Sequence, residues 1–164
     1  MRIYFAGPLF TPYERDYISK SAQTLRKHGL DPFVPHESPK EEIPNDTRSR
    51  AKRCYDNDFG AIYESNAMLA IINGAEVDDG TAAEIGIFYA LMQTDDTKKG
   101  IVALHDDWRT KDGGEGKGLN GFVLGCLLKA GKVCSTLDEA LDQLVAWRAE
   151  LQAEGILERE KSAP

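Results

Sequence analysis

Cysteine is scarce in this chain and carries no pattern: Cys54, Cys126 and Cys134 are the only three in 164 residues, with no CxxC pair. An odd, unspaced set excludes a disulfide framework and a thiolate metal cluster, and reads as reduced thiols of a cytoplasmic protein. Histidine is as sparse, and His28, His36 and His105 lie too far apart in sequence to suggest a metal site. No apolar run approaches the roughly 18 residues of a membrane span. Met1 leads straight into an apolar strand pattern, without the basic start and long apolar stretch of a signal peptide. Positive charge is also short: 20 Lys and Arg stand against 27 Asp and Glu, a formal net charge of −7. A protein that tracks phosphates replaces condensed cations with Lys and Arg. Here the basic residues are scattered, apart from a mild run at Arg48–Arg53. The expected partners are therefore small molecules, not nucleic acid and not a membrane.

What is there reads as a soluble domain with a sizeable core, and the chain is too short for two comfortable domains. Residues 1–152 form the expected domain and 153–164 a charged tail. Ile3–Ala6 is a short apolar run closed by Gly7-Pro8, a buried strand ending in a turn. Tyr13–Lys27 is helical, with Tyr17, Ile18, Ala22 and Leu25 on one face. Asp31–Val34 is a second strand weakened by Pro32, followed by a polar, proline-containing loop to about Asn45. Asp46–Ser65 is helical, capped by Asp46-Thr47, with Ala51, Cys54, Tyr55, Phe59 and Ile62 inward. Ala67–Ile72 and Gly100–Leu104 are unbroken apolar strands, separated by the helix Thr81–Met92. After a Gly/Asp-rich loop come a helix Leu119–Lys129, a brief strand Lys132–Cys134 and an amphipathic helix Leu137–Gln152. Alternating short strands and helices predict a parallel sheet of about five strands between helical layers. Ligands of such sheets sit beyond the carboxyl ends of the strands, which directs attention to the segments after Ala6, Ile72 and Leu104.

The first of these holds Tyr4 inside the strand, Gly7-Pro8 at the turn and Phe10, an aromatic able to wall a flat ligand; a core tyrosine and a plain turn explain them equally. The second is Asp78-Asp79-Gly80-Thr81-Ala82-Ala83-Glu84-Ile85-Gly86. Glu84 is expected in the first turn of an apolar helix, a rigid seat for a nucleophile, with Asp78 on the loop beside the helix end. Thr81-x-x-Glu84 also spells a capping box, which would turn Glu84 back onto its own backbone. Gly86 inside the helix calls for a close neighbour. Asn57-Asp58 lies mid-helix, where a solvated aspartate is the ordinary case, and Asn120 opens a helix as an ordinary cap would. The run Gly113–Gly118 contains Lys117 but lacks the phosphate-loop pattern and carries Glu115, so it reads as a flexible lid or oligomer loop.

In order and spacing these motifs, Ile3-Tyr4-Phe5-Ala6-Gly7-Pro8, Asn57-Asp58, Asp78-x-Gly80-Thr81-Ala82-x-Glu84-x-Gly86 and Asn120, resemble the nucleoside 2-deoxyribosyltransferases from Ile3 to about Lys132. The resemblance implies a flavodoxin-like α/β three-layer sandwich with a five-stranded parallel sheet, and a homo-oligomer built from dimers. It implies Glu84 as nucleophile, Asp78 and Asp58 as acids that handle the nucleobase, and Tyr4 as the residue that orients Glu84. Gly7, Phe10, Asn57 and Gly80 would then line the substrate, and Asn120 would reach a neighbouring subunit's site. Some members supply a C-terminal carboxylate to that site; the tail here aligns with no such feature. The implied substrates are 2′-deoxyribonucleosides and free nucleobases, in nucleotide salvage, with neither metal nor cofactor.

Two other readings compete. A 5′-monophosphate N-glycosidase would use a similar glutamate but needs a phosphate pocket, and Pro12, Glu14 and Asp16 after the first strand oppose one. A silent nucleotide-binding module on the same scaffold would bind without exchanging bases.

Overall fold

The computed structural model describes residues 1–38, 46–107 and 119–157. The Gly113–Gly118 run, the loop to Asn45 and the end of the tail lie wholly or mostly outside them.

Five parallel strands make one sheet: β1 (Arg2–Ala6), β2 (Asp31–Phe33), β3 (Ala67–Ile71), β4 (Gly100–Leu104) and β5 (Gly131–Cys134). Their spatial order is β2-β1-β3-β4-β5, so the order reverses between β1 and β3. This is the doubly wound flavodoxin-like order, in which a crevice opens beyond the carboxyl ends at the reversal. The helices are α1 (Pro12–Lys27), α2 (Arg50–Glu64), α3 (Asp79–Met92), α4 (Gly121–Ala130) and α5 (Leu137–Ala153).

Side chains on a strand alternate between faces, and the core divides accordingly. Ile3, Phe5, Leu69, Ile71, Val102 and Leu104 pack with Ile18, Ala22 and Leu25 of α1 and Leu144 and Trp147 of α5. Tyr4, Ala6, Met68, Ala70, Ile101 and Ala103 face the other way, onto Ile62 of α2, Ile85 and Phe88 of α3, and Leu127 of α4. Both faces of β3 and β4 are covered, which is why their residues are apolar throughout. The result is a three-layer sandwich.

Local chemistry sets the helix starts; α1 begins one residue before its expected start, at Pro12, and three others differ from the sequence expectation by two residues or more. The second helix begins at Arg50, because Ser49 accepts from the Lys52 amide; Asp46 instead binds Arg48. Its first half stands off the sheet, so Ala51, Cys54 and Tyr55 are exposed and only Ala61 and Ile62 are buried. The fourth helix starts at Gly121 with Asn120 as its cap. The third starts at Asp79, with consequences for the site. At the other end, α5 runs one residue past its expected limit, and Glu154 is no free tail residue: it pairs with Lys99 at 2.6 Å.

Trp147 is the largest side chain holding α5 to the sheet edge, and it fits because Gly100 carries no side chain. A Cβ there would stand 2.4 Å from the Ala130 carbonyl oxygen and 2.6 Å from Trp147 Cη2. Gly100→Ala is therefore expected to overpack this layer and cost about 1–3 kcal/mol, read as a lower urea midpoint at unchanged slope. An unchanged midpoint would mean that Trp147 moves aside freely.

Candidate active site

Asp78, not Thr81, caps α3: its Oδ2 accepts from the Thr81 amide at 3.0 Å and from the Thr81 hydroxyl at 3.1 Å. Glu84 is then the sixth residue of the helix rather than a member of its first turn. The expected Thr81–Glu84 capping box does not form. A complete box stands instead at α1, where Thr11 and Glu14 exchange the two reciprocal bonds and Pro12 opens the helix. Freed from its own backbone, Glu84 turns to the sheet. Its Oε1 accepts the Tyr4 hydroxyl at 2.6 Å, across 80 residues of sequence.

Tyr4 sits in the middle of β1 and is fully buried, with its ring in the α2–α3 layer. Its pKa is driven upward by burial first and by the Glu84 charge second, so at all working pH values it remains a donor. Glu84 is partly buried, and that desolvation pushes its pKa up to about 7. The Tyr4 hydrogen bond pulls the other way, and the charges of Asp58 and Asp78 add to the rise. Asp58, on α2, is half-buried rather than solvated; burial raises its pKa, partly offset by a 2.9 Å bond from the Asn57 side-chain amide. The four residues Tyr4, Asp58, Asp78 and Glu84 thus share one electrostatic neighbourhood at the carboxyl edge of the sheet. A raised carboxylate, a second raised carboxylate and a permanent hydroxyl donor can together perform covalent attack with proton transfer.

The remaining nominated residues are less convergent. Gly7 sits in tight packing: a Cβ would lie 3.1 Å from both Ile18 Cδ1 and Ile71 Cβ, so even a methyl group would require these side chains to give way by a few tenths of an ångström. Gly80 is an exposed residue of the first turn of α3, its amide bound to Asp79. Phe10 points into solvent, 77% exposed, and walls nothing within this chain. Asn57 is exposed and serves Asp58. Asn120 is exposed and accepts from the Phe122 amide at 2.9 Å, an ordinary cap. Among the described residues Gly86 has no neighbour of the expected kind, since no atom beyond its own stretch of helix lies within 4 Å of where its Cβ would be.

On the α1 side of the sheet, the face opposite the Tyr4 ring, a cavity of about 340 Å³ is lined by Pro8, Tyr17, Ile71, Asn73 and Asp107 among others, and none of Tyr4, Asp58, Asp78 and Glu84 lines it. Asn73 ties its rim together. The Nδ2 of Asn73 donates to Asp106 Oδ1 at 2.5 Å, its Oδ1 accepts the Asp106 amide, and Tyr17 donates to Asp106 Oδ2 at 2.9 Å. Sequence reasoning missed this clamp, although Asn73, directly after the apolar run Ala67–Ile72, and Asp106, two residues after Leu104, were the available signal. Among the described residues no group of three His, Cys, Asp or Glu could hold a metal ion, and no helix is long and apolar enough to cross a membrane.

Comparison with known proteins places this geometry. Residues 3–146 match the family model described as Nucleoside 2-deoxyribosyltransferase. The uncharacterized protein UU063 of Ureaplasma parvum serovar 3 is 30% identical over 153 residues, which is 88% of this chain and 94% of that one. Two solved structures share the fold. A 2-deoxyribosyltransferase from Bacillus psychrosaccharolyticus has 22% identity and a TM-score of 0.65, over 86% of this chain and 90% of the other. The CMP N-glycosidase BcmB of Clostridium botulinum has 19% identity and a TM-score of 0.55, over 90% and 99%. With most of its length matched, the chain belongs to the nucleoside 2-deoxyribosyltransferase family.

Proposed function

We propose that this protein exchanges the nucleobase of 2′-deoxyribonucleosides through a covalent deoxyribosyl-Glu84 ester, in nucleotide salvage in the cytoplasm. The observation that carries the reading is Glu84 itself, released from capping and buried against the Tyr4 hydroxyl. An ionised Glu84 oxygen attacks C1′ as the C1′–N bond breaks and its electron pair leaves with the base. Asp58, whose hold on a proton is strengthened by burial, gives a proton to that base. An incoming base then attacks C1′ from the vacated face, the ester bond breaks back to a carboxylate, and the incoming base's proton returns to Asp58. Two displacements give net retention. Every proton and electron pair is supplied by the substrate and two carboxyl groups, so neither metal nor cofactor is called for. Asp78 holds the start of α3, and its charge helps to set the Glu84 pKa.

A nucleoside fits better than a nucleotide. At the start of α1, a natural phosphate seat, Pro12 has no amide hydrogen, the Thr11 and Glu14 amides are engaged by the capping box, and the Glu14 carboxylate opposes an anion. Three free cysteines suit a reducing compartment. The outward Phe122 and Leu128 of α4, 80% and 64% exposed, support a homo-oligomer built from dimers, with Asn120 brought near a neighbouring site.

Incubation with deoxyinosine, with and without free adenine, tests the activity. Deoxyadenosine should form only when adenine is present, and a 2′-fluoro-deoxynucleoside should leave a sugar adduct on Glu84 by mass spectrometry. Base release at equal rates without acceptor would instead indicate a hydrolase, and an adduct on another residue would remove Glu84 from its role.

Because attack needs the ionised carboxylate, kcat/KM should rise with pH through about 7. Tyr4→Phe removes the bond that favours the charged form, so this limb should move upward by about 1 pH unit. A limb that stays in place would assign the titration elsewhere.

The same burial makes a stability statement. Glu84 has an ordinary value of 4.5 when exposed and about 7 when folded, so the folded chain holds this proton more tightly. Its favourable contribution is complete below 4.5 and is lost as pH rises to about 7. Glu84→Gln should therefore abolish exchange yet stabilise the fold at pH 8, by on the order of 1–3 kcal/mol. The gain should vanish near pH 4.5; chemical denaturation at both pH values measures it.

A further inference from the structure

Tyr4 can serve Glu84 only if its ring is aimed. A tyrosine hydroxyl lies on the ring axis, so ring flips leave it in place, while a tilt of the whole ring carries it away from its acceptor. Hydrogen bonds weaken steeply with such misalignment. What fixes the tilt is visible in the sheet register. Tyr4 stands opposite Met68 of β3 on one side and Phe33 of β2 on the other. Phe33 stacks on the Tyr4 ring, with centroids 5.8 Å apart and planes within 17°. Over the Phe33 ring lies the Arg2 guanidinium, 5.9 Å from its centroid, and Arg2 is itself paired with Glu64 at the end of α2.

Phe33 is in an unlikely place for an aromatic whose only task is core filling. It is the last residue of a three-residue edge strand and is only partly buried against the α2–α3 layer. An aliphatic side chain would cover the same edge. The ring's distinctive property is its flat face, and that face lies against the residue that bonds Glu84.

We infer that Phe33 is a positioning residue for the Tyr4–Glu84 pair, acting through the tilt of the Tyr4 ring. This rests on the proposed role of Glu84 for its catalytic consequence, but not for its geometry. Phe33 touches no reacting atom. Its removal leaves the carboxyl group in place and weakens the hydroxyl bond that favours the ionised form, so Glu84 should titrate at higher pH.

The test follows the carboxyl resonance of Glu84 in protein labelled with ¹³C-glutamate, alongside steady-state kinetics with deoxyinosine and adenine. Phe33→Leu should raise the Glu84 midpoint in the same direction as Tyr4→Phe. It should also lower kcat by roughly tenfold, with KM within about twofold. Phe33→Tyr, which restores a ring, should return both to wild type. In a Tyr4→Phe background, Phe33→Leu should add nothing to either quantity, the signature of two residues acting as one. Should Phe33→Leu fail to fold, Phe33→Met takes its place with the same expectations. An unmoved Glu84 midpoint, full additivity with Tyr4→Phe, or no recovery in Phe33→Tyr would each overturn the inference. The titration reads the carboxyl group and not turnover. A wild-type protein with no nucleoside reaction would therefore sink the proposed function while the midpoint still decides the role of Phe33.

Discussion

A carboxylate that loses its water loses stability, and Glu84 loses most of its water when this chain folds. One partner limits the loss: the Tyr4 hydroxyl, 2.6 Å away. The rest of the structure serves this contact. Tyr4 must be on the central strand, with its ring in the α2–α3 layer. Glu84 must be far enough along α3 to clear the cap, and α3 must lie close enough on the sheet for Ile85 and Phe88 to seal it. Asp58 on α2 and Asp78 at the cap then add negative charge around a group that already prefers its proton. The balance near neutrality is thus the sum of one favourable bond and several opposing terms, none of which belongs to the glutamate alone.

Packing and chemistry use the same residues for different ends. Asp78 holds the first turn of α3 by two hydrogen bonds and in doing so removes Thr81 as a cap. Had Thr81 capped, the helix would begin later and Glu84 would be turned back to the chain. The choice of cap therefore decides whether the Glu84 carboxyl group meets its own backbone or the Tyr4 hydroxyl. Gly7 shows the reverse case, a motif residue whose place is explained by the 3.1 Å approach of Ile18 and Ile71 without any ligand.

The architecture was legible in the sequence because it depends on hydrophobic period and on strand–helix alternation, which are local. Ala67–Ile71 and Gly100–Leu104 reveal two covered faces by having no polar residue at all. The helix starts were less legible. Asp78, Thr81, Asp46 and Ser49 are all competent caps, and which one wins depends on where tertiary packing lets the helix begin. For the same reason Ala51, Cys54 and Tyr55 look inward by period but stand outside, beyond the reach of the sheet. Among the candidate residues, the pairing of Tyr4 with Glu84 came from resemblance and from no local signal, since 80 residues separate them. Phe33 and Asn73 could not be found that way, because what they do is set by neighbours on other strands.

Transfer between bases makes a particular demand on the acid. Its two half-reactions are the same chemical step run in opposite directions, so the group that protonates the leaving base must deprotonate the incoming one. A carboxyl group with an ordinary low pKa is a poor donor in the first half, and one raised too far is a poor acceptor in the second. Burial raises the pKa of Asp58, and the Asn57 amide partly offsets that rise. In the proposed exchange Glu84 would face the matching constraint as attacking and then departing oxygen: a more basic carboxylate attacks better and leaves worse. A value near 7 keeps neither half far harder than the other. Both carboxyl groups are partly buried, and the proposed exchange would draw on that partial burial.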